Sequence, residues 1–281
     1  MNPLILKFNL NWAALRTALC RILVSAIFVS MLNVNPANAA ETPTLKKWTV
    51  DGVVREALIF APAPGKTPAP VIFAFHGHGG SMRFAARKYN FQSLWPEALV
   101  VYMQGLDTPG RLTDPKGTRT GWQAGAGDQQ DRDLKFFDAV LATLKSEYHV
   151  DTKRIYATGH SNGGSFTYLL WAKRGETFAA VAPSSAVDSR DFSLLKPKPV
   201  FHVAGENDPL VKFSWQQRMI NALRSLNQCG AGATFSGDKR CTIYSSKIGA
   251  PVVTFIHPGG HEFPEDARKL IVKFFKQHAL P

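Results

Sequence analysis

The sequence predicts one α/β domain with a mostly parallel central sheet and helices on both of its faces. From residue 70 to the C-terminus, short apolar runs typical of buried strands alternate with runs of helical periodicity. Glycine-rich segments follow several of these apolar runs, where a parallel sheet places its binding site. A length of 281 residues with 45% hydrophobic content is sufficient for one large core.

The N-terminus has the organisation of a secretory signal peptide. Positively charged residues precede an apolar run at 22–32, and Ala37-Asn38-Ala39 provides the small residues of a cleavage site. We therefore predict a signal peptide at residues 1–39 and a single domain at residues 40–281, located in a periplasm or secreted. An uncleaved N-terminal anchor is the alternative. No second apolar stretch approaches membrane-spanning length, so no membrane contact is expected after signal removal.

The chain is strongly basic, with a formal net charge of +12. Such a surface favours acidic partners, among them acidic polysaccharides. Nucleic acid is not predicted as a partner, because the lysines and arginines are scattered and no nucleic-acid motif is present.

Two cysteines remain once the predicted signal peptide is set aside. Cys229 and Cys241 are close in sequence, and the stretch between them contains glycine and serine. In an oxidising compartment such a pair is typical of one local disulfide that closes a loop, so we predict this bond. Two free structural thiols are the alternative.

The strands and helices can be placed from the apolar pattern. A strand pair is predicted at 47–62, with its turn at Asp51-Gly52. Further strands are predicted at 70–75, 98–103, 155–158, 178–183, 199–204 and 252–256. Helices are predicted at 81–90, 131–148, 165–173 and 266–277.

The segment Gly159-His160-Ser161-Asn162-Gly163 lies between a predicted strand and a predicted helix. A Gly-x-Ser-x-Gly pattern in this context is typical of a nucleophile elbow, a sharp turn that projects the serine hydroxyl clear of the backbone. The flanking glycines permit the turn, because a Cβ atom there would collide with neighbouring chain. Ser161 is therefore predicted to be catalytic. The backbone N–H of Asn162 is predicted to face charge that develops on a substrate oxygen.

A second glycine cluster, His76-Gly77-His78-Gly79-Gly80, follows the predicted strand at 70–75. Backbone N–H groups can approach a substrate closely only where side chains are absent, so this cluster is predicted to supply a second oxyanion donor. A plain tight turn with two incidental histidines is the alternative.

A long loop is predicted at 105–129, and it contains Gly121-Trp122-Gln123. Loops of this length are uncommon in compact domains unless they are functional. Trp122 is thus a candidate wall of the substrate site, with packing of the loop onto the core as the alternative.

A serine nucleophile requires a base to accept its proton and an acid to orient that base. His261 is the preferred base, because it lies in a glycine-rich loop after a predicted strand, whereas His257 is at the strand end itself. Asp208, in the turn after the strand at 199–204, is the preferred acid. Glu206 is the second candidate for the acid, followed by Asp188 or Asp191. The chain order serine, aspartate, histidine strengthens all three assignments.

Together these motifs resemble the α/β-hydrolase superfamily, and within it secreted polyhydroxybutyrate depolymerase-like and feruloyl esterase-like proteins. The segments that carry the resemblance are His76-Gly77, Gly121-Trp122-Gln123, Gly159-His160-Ser161-Asn162-Gly163-Gly164, Asn207-Asp208-Pro209, and Gly259-Gly260-His261 with Pro264. The resemblance implies the α/β-hydrolase fold, with a mostly parallel sheet, helices on both faces and no separate lid domain.

The resemblance also implies roles for individual residues. Ser161 would be the nucleophile, His261 the general base and acid, and Asp208 its orienter. The backbone N–H groups of His78 and Asn162 would form the oxyanion hole. The set expected to contact substrate is Trp122, Gln123, His160 and Phe263. Phe263 stands where many relatives have tryptophan, which alters the expected shape of the acyl pocket.

The expected activity is hydrolysis of carboxylic esters through an acyl-enzyme, with no cofactor and no metal. No polymer-binding domain is recognised beside the catalytic region, which favours small or oligomeric esters: feruloyl or acetyl esters of polysaccharides, or short hydroxyalkanoates. A serine peptidase, an acyltransferase, and a non-catalytic binding protein of the same fold are the alternatives. The sequence leaves the oligomeric state open.

Overall fold

A computed structural model of the protein describes residues 42–110, 112–188 and 190–281. The predicted signal peptide at 1–39 lies outside these residues. The segment Ala40–Pro281 clusters as one unit. In the described ranges, no helix combines the length and apolar character that crossing a bilayer requires.

Among the described residues, ten strands form one large sheet, and two short strands form a separate ladder. The strands are β1 (Thr44–Val50), β2 (Val53–Phe60), β3 (Ala69–Phe75), β4 (Leu99–Met103), β5 (Leu106–Asp107), β6 (Thr120–Gly121), β7 (Val150–His160), β8 (Ala180–Ser184), β9 (Val200–Gly205), β10 (Cys229–Thr234), β11 (Cys241–Ser246) and β12 (Val252–His257). The order in the large sheet is β1-β2-β4-β3-β7-β8-β9-β12-β11-β10.

The centre of the large sheet is parallel and its two margins are antiparallel. Strands β4, β3, β7, β8, β9 and β12 run parallel, while β1 and β2 flank one side and β11 and β10 the other. The central strands are buried along most of their length, as continuous apolar runs require. Their carboxyl ends all point to one edge of the sheet.

Helices cover both faces of the sheet. They are α1 (Met82–Tyr89), α2 (Phe91–Leu94), α3 (Arg132–Glu147), α4 (Asn162–Arg174), α5 (Phe213–Leu226) and α6 (Glu265–Lys276). Buried side chains of α3, α4 and α5 share one hydrophobic cluster, and those of α1, α2 and α6 share the cluster on the opposite face. The predicted fold class, a mostly parallel sheet with helices on both faces, is confirmed.

The sequence-based assignment was incomplete between residues 206 and 250. It missed α5 and the hairpin of β10 and β11. The hairpin has few apolar residues on β10, and its register shifts between Cys229 and Gly232, so strand alternation is weak there. By contrast, the first hairpin turns at Asp51-Gly52 as predicted, with positive φ angles of 48° and 78° that suit this pair.

The predicted disulfide is wrong, because the two cysteines lie at opposite ends of the β10–β11 hairpin. Cys229 is paired in register with Ser246, at the far end of β11 from Cys241. Both thiols are free in the structure. Several residues of extended strand, at about 3.3 Å per residue, separate the two positions, whereas a disulfide needs Cα atoms within about 7 Å.

We therefore predict that Cys229 and Cys241 are free thiols of unequal reactivity in the native protein. Cys241 is fully buried, and burial raises the pKa of its thiol to about 12, whereas Cys229 is only partly buried. Iodoacetamide should modify Cys229 slowly in the native protein and Cys241 only after unfolding, as measured by peptide mass spectrometry. A disulfide-linked Cys229–Cys241 peptide in a non-reduced digest would contradict the structure.

Candidate active site

Ser161 occupies the sharp turn between β7 and α4. Its backbone has φ 57° and ψ −122°, a region that residues with a side chain rarely adopt. The chain passes so closely here that a Cβ atom on Gly159 would overlap the backbone of Gly163. A Cβ atom on Gly163 would in turn overlap the carbonyl of Phe75 at the end of β3. Only glycine fits both positions, so the strained serine backbone is held by packing on either side of it.

Ser161, His261 and Asp208 form one continuous hydrogen-bonded line. The Nε2 atom of His261 lies 2.7 Å from Ser161 Oγ, and its Nδ1 atom lies 2.8 Å from Asp208 Oδ2. Because a carboxylate only accepts, Nδ1 carries the proton and Nε2 is free to accept from the serine hydroxyl. This is the arrangement that general-base activation of a serine requires. It brings together three residues that are far apart in sequence.

Each of these three residues follows the carboxyl end of a parallel strand. Ser161 follows β7, Asp208 follows β9, and His261 follows β12. The glycine cluster at 76–80 follows β3, the neighbour of β7. Parallel strands therefore deliver all four segments to the same edge of the sheet, as the sequence predicts.

The carboxylate of Asp208 is held from two sides. Its Oδ1 atom accepts hydrogen bonds from the backbone N–H groups of Leu210 and Val211, each at 2.9 Å. Its Oδ2 atom accepts from His261 and, at 3.3 Å, from the side-chain amide of Gln216 on α5. These contacts leave little freedom for the carboxylate, so the imidazole that it holds is oriented as well.

Buried polar groups also lie behind Gln216. His202 is close to Gln216, and the Tyr168 hydroxyl lies 2.7 Å from His202 Nδ1. Burial lowers the pKa of His202 to about 4, so its ring is neutral near pH 7. The Gln216 side-chain amide N–H groups donate to Asp208 Oδ2 and to the carbonyl of Val211.

The competing acid and base candidates are placed elsewhere. Glu206 is exposed, whereas Asp208 is buried. The Oδ1 atom of Asp188 accepts from the backbone N–H groups of Arg190 and Asp191, which is a loop-shaping role. His257 is buried and its Nδ1 accepts from the backbone N–H of Gly259.

The predicted oxyanion donors flank the serine. In the described part of the chain, the backbone N–H groups of His78 and Asn162 donate to no protein acceptor. The glycine loop that contains His78 is shaped by His76, whose Nδ1 donates to the Gly77 carbonyl and whose Nε2 accepts from the Gly105 N–H. Burial lowers the pKa of His76 to about 4, so this ring too is neutral. The oxyanion role of the two N–H groups remains a prediction.

Trp122 and Gln123 were predicted to contact substrate, and the structure corrects both. Trp122 is fully buried, stacks on Phe166 at 5.1 Å, and donates from its indole to the carbonyl of His76. Gln123 is also fully buried, and its carbonyl oxygen accepts from backbone N–H groups at the start of α3. The loop around Trp122 is fastened to the elbow, because the Asn162 side chain bonds both the N–H and the carbonyl of Trp122. Both residues therefore belong to the core beneath the nucleophile elbow and do not line the cavity.

His160 and Phe263 lie beside the triad rather than in the cavity in front of it. The His160 ring is 4.7 Å from the His261 ring, and burial lowers the pKa of His160 to about 3. Phe263 is buried against Tyr89, with ring centroids 4.4 Å apart. Phe263 thus packs the loop that carries His261, and its predicted contact with the acyl pocket is not present in the structure.

A cavity of about 760 Å³ opens in front of Ser161. Its apolar wall comes largely from residues that the sequence analysis did not single out: Leu169, Val187, Phe192, Val211, Trp215 and Met219. Trp215 and Met219 belong to α5, whose core-facing side recurs at helical spacing through Gln216, Met219, Ile220 and Leu223. This periodicity could have predicted the helix from the sequence. It does not predict that Trp215, beside the core-facing side, lines the cavity.

In the ranges that the structure describes, no group of three or more histidine, cysteine or acidic side chains is arranged to hold a metal ion.

Known proteins share parts of this sequence. A family model described as the prolyl oligopeptidase family matches residues 114–194, which include Ser161. Feruloyl esterase C of Emericella nidulans is 27% identical over 250 residues, which is 86% of this chain and 88% of that protein. A bifunctional acetylxylan esterase/xylanase of Neocallimastix patriciarum is 26% identical over 185 residues, which is 65% of this chain but only 26% of that protein. The resemblance to feruloyl esterases is thereby confirmed.

Solved structures share the architecture. The acetyl xylan esterase of Aspergillus awamori superposes with a TM-score of 0.62 at 12% identity, over 83% of this chain and 99% of that one. A ferulic acid esterase superposes with a TM-score of 0.57 at 14% identity, over 83% and 95%. The chain has the α/β-hydrolase fold. In sequence it is similar to esterases that carry feruloyl and acetylxylan in their names.

Removing the amide of Gln216 should slow turnover without weakening substrate binding. In Gln216→Leu, Asp208 loses one side-chain donor and His261 is less firmly oriented, so kcat should fall about tenfold while KM stays within about twofold. The measurement is steady-state hydrolysis of p-nitrophenyl butyrate. The matched control is Gln217→Leu on the same helix, which should behave as wild type. Unchanged kcat in Gln216→Leu would show that this amide does not position the triad.

Acid should destabilise the protein before its carboxylates titrate. His76 and His202 are fully buried with pKa values lowered to about 4 from an ordinary 6.5, so between these pH values the unfolded chain binds more protons than the folded chain. The free energy of unfolding should therefore fall as the pH drops from 6.5 toward 4, by up to about 1.4 kcal/mol per pH unit for each ring. Urea unfolding at half-unit pH steps measures this slope. A flat profile between pH 6.5 and 4.5 would contradict it.

Proposed function

We propose that the protein is a serine carboxylic-ester hydrolase in which Ser161 is the nucleophile, His261 the general base and acid, and Asp208 the group that orients His261. The observation that carries this proposal is the hydrogen-bonded line Asp208–His261–Ser161, with distances of 2.8 Å and 2.7 Å, at the wall of an accessible cavity. The similarity to feruloyl and acetylxylan esterases supports the ester as the bond that is cleaved.

The reaction takes place in two halves. Ser161 Oγ attacks the ester carbonyl as its proton passes to Nε2 of His261, and the resulting oxyanion is met by the backbone N–H groups of His78 and Asn162. His261 then gives the proton to the leaving alcohol, which leaves an acyl-enzyme on Ser161. In the second half, His261 takes a proton from water, the hydroxyl attacks the acyl carbonyl, and the proton returns to Ser161 as the carboxylic acid departs.

The proposed substrates are feruloyl or acetyl esters of polysaccharide fragments. A cavity of about 760 Å³ with apolar walls accommodates an aromatic acyl group, and it lies within the usual range for small-molecule sites. Short hydroxyalkanoate esters are smaller and are the competing substrate class. We further propose that the predicted signal peptide exports the enzyme, which would place it where plant polysaccharides are met.

A serine peptidase is the second candidate. The match of residues 114–194 to the prolyl oligopeptidase family favours it, since the same triad can cleave amides. The esterase relatives favour the ester because their similarity extends over most of the chain, whereas the family match covers one segment.

Replacing the nucleophile should abolish ester hydrolysis. In Ser161→Ala, kcat should fall by about 10³ to 10⁶-fold, because no acyl-enzyme can form. The assay panel is p-nitrophenyl acetate, methyl ferulate, acetylated xylan oligosaccharides, a hydroxybutyrate trimer and a proline-containing peptide amide. Ser146→Ala, a serine exposed at the end of α3, is the matched control and should retain activity.

The panel separates the proposals. Faster cleavage of methyl ferulate and acetylated xylan than of the hydroxybutyrate trimer supports the polysaccharide ester. Preferential cleavage of the peptide amide would replace the esterase by the peptidase. Full activity in Ser161→Ala would overturn the assignment of the nucleophile.

A further inference from the structure

Trp215 differs from the other tryptophans that the structure describes. The indoles of Trp48, Trp122 and Trp171 are packed on aromatic neighbours and donate a hydrogen bond from their N–H groups, and Trp95 is packed on Tyr156. Within the described ranges, Trp215 has no aromatic ring beside it, and its indole N–H donates to no protein acceptor. It is only partly buried, and it lines the cavity in front of Ser161. A large aromatic face is thus presented to the cavity.

Arg218 follows Trp215 by three residues on α5, so the two side chains emerge from neighbouring positions on one side of the helix. Arg218 also lines the cavity and is exposed. Within the described ranges its guanidinium forms no ion pair and no side-chain hydrogen bond. Arg190, the other arginine on the cavity wall, is instead paired with Asp128.

A second cation lies over one face of the indole ring, which leaves the opposite face for a sugar ring. The Nζ atom of Lys212, at the start of α5, is 5.7 Å from the centroid of the Trp215 ring. The one carboxylate on the cavity wall in the described ranges is Asp188. Burial raises the pKa of Asp188, and its Oδ1 atom already accepts two backbone N–H groups. The α5 side of the cavity mouth is therefore positively charged around an aromatic face.

A sugar ring that carries a carboxylate would match both the aromatic face and the cations. The apolar face of a pyranose ring stacks on an indole, while a carboxylate on that ring can accept two hydrogen bonds from one guanidinium. A neutral sugar would use the indole and leave the guanidinium without a partner. A free fatty acid would use the cation but would gain nothing from a flat aromatic face at a solvent-exposed mouth.

We propose that Trp215, Arg218 and Lys212 form a subsite for a hexuronic acid residue in the carbohydrate part of the ester substrate. The three residues are called here the α5 subsite. The inference rests on the proposed function, because it assumes that the carbohydrate carries an acyl group cleaved at Ser161. The exposure of Arg218 and Lys212 fits the carbohydrate part, which must continue into solvent, and the rest of the apolar wall, without Trp215, fits the acyl part.

Binding can be tested without turnover. In the Ser161→Ala background, trigalacturonic acid should change the tryptophan fluorescence, and its methyl-esterified form, which has the same rings but no charge, should bind at least about fivefold more weakly. Because the contact with Arg218 is electrostatic and exposed, the preference for the acid should shrink as NaCl rises from 20 to 300 mM. Adding Trp215→Phe should remove most of the fluorescence change.

The second test compares rates of hydrolysis. The ratio of kcat/KM for an acetylated uronic-acid oligosaccharide to kcat/KM for a neutral acetylated xylo-oligosaccharide should fall about fivefold in Arg218→Gln. Arg218→Lys should retain part of the preference for the uronic-acid substrate, because the charge remains but the bidentate hydrogen bonding is lost. Lys247→Gln is the matched control. It removes one positive charge from the turn between β11 and β12, which joins the amino end of β12 and so lies at the opposite edge of the sheet from the site.

The two arms distinguish failure of the subsite from failure of the esterase. Hydrolysis with the same acid preference in wild type and Arg218→Gln overturns the α5 subsite and leaves the esterase standing. Equal binding of trigalacturonic acid and its methyl ester also overturns the subsite. Binding that depends on Trp215 and prefers trigalacturonic acid to its methyl ester, in an enzyme that cleaves none of the esters, supports a uronic acid site and contradicts the esterase.

Discussion

The close passage of β3, β7 and α4 at Ser161 is the constraint on which the rest of the site depends. A serine backbone at φ 57° costs on the order of 1–3 kcal/mol, and it persists only where surrounding structure leaves no alternative. Here the glycine at position 163 lies against the end of β3, and the one at 159 lies against the first turn of α4. A buried parallel sheet provides the rigidity for such a contact. The same geometry places the Ser161 hydroxyl within hydrogen-bond distance of His261 at the wall of the cavity.

Two buried hydrogen-bond networks hold the residues around the Ser161 turn in place. One joins Gln216 on α5 to Asp208 and to the carbonyl of Val211, and the other fastens the loop around Trp122 to Asn162 and to the start of α3. Polar groups taken out of water must be hydrogen-bonded, so each network accepts few geometries. The chemistry at Ser161 needs positional accuracy, and residues that never meet a substrate provide much of it. The neutral, buried His76 suits this task, because it donates at Nδ1 to the Gly77 carbonyl while it accepts at Nε2 from the Gly105 N–H.

The cavity is asymmetric, and this asymmetry bears on what the enzyme binds. Its inner wall is apolar, whereas its α5 side presents an unstacked indole next to cations. An ester of an aromatic or acetyl group with a charged carbohydrate has the same division into an apolar acyl part and a polar alcohol part. The shape and charge of the cavity therefore favour such an ester. The triad by itself could act on many activated carbonyl compounds.

The sequence by itself determined the alternation of strands and helices, the elbow at Ser161 and the order of Ser161, Asp208 and His261. These are local patterns: continuous apolar runs mark strands that are buried on both faces, and reactive residues directly after such runs must meet at one edge of a parallel sheet. Only the tertiary structure decided that Cys229 and Cys241 are far apart, that Trp122 is buried, and that Trp215 faces the cavity. The position of a side chain relative to the core depends on which distant element covers it, and no local pattern of residue types carries that information.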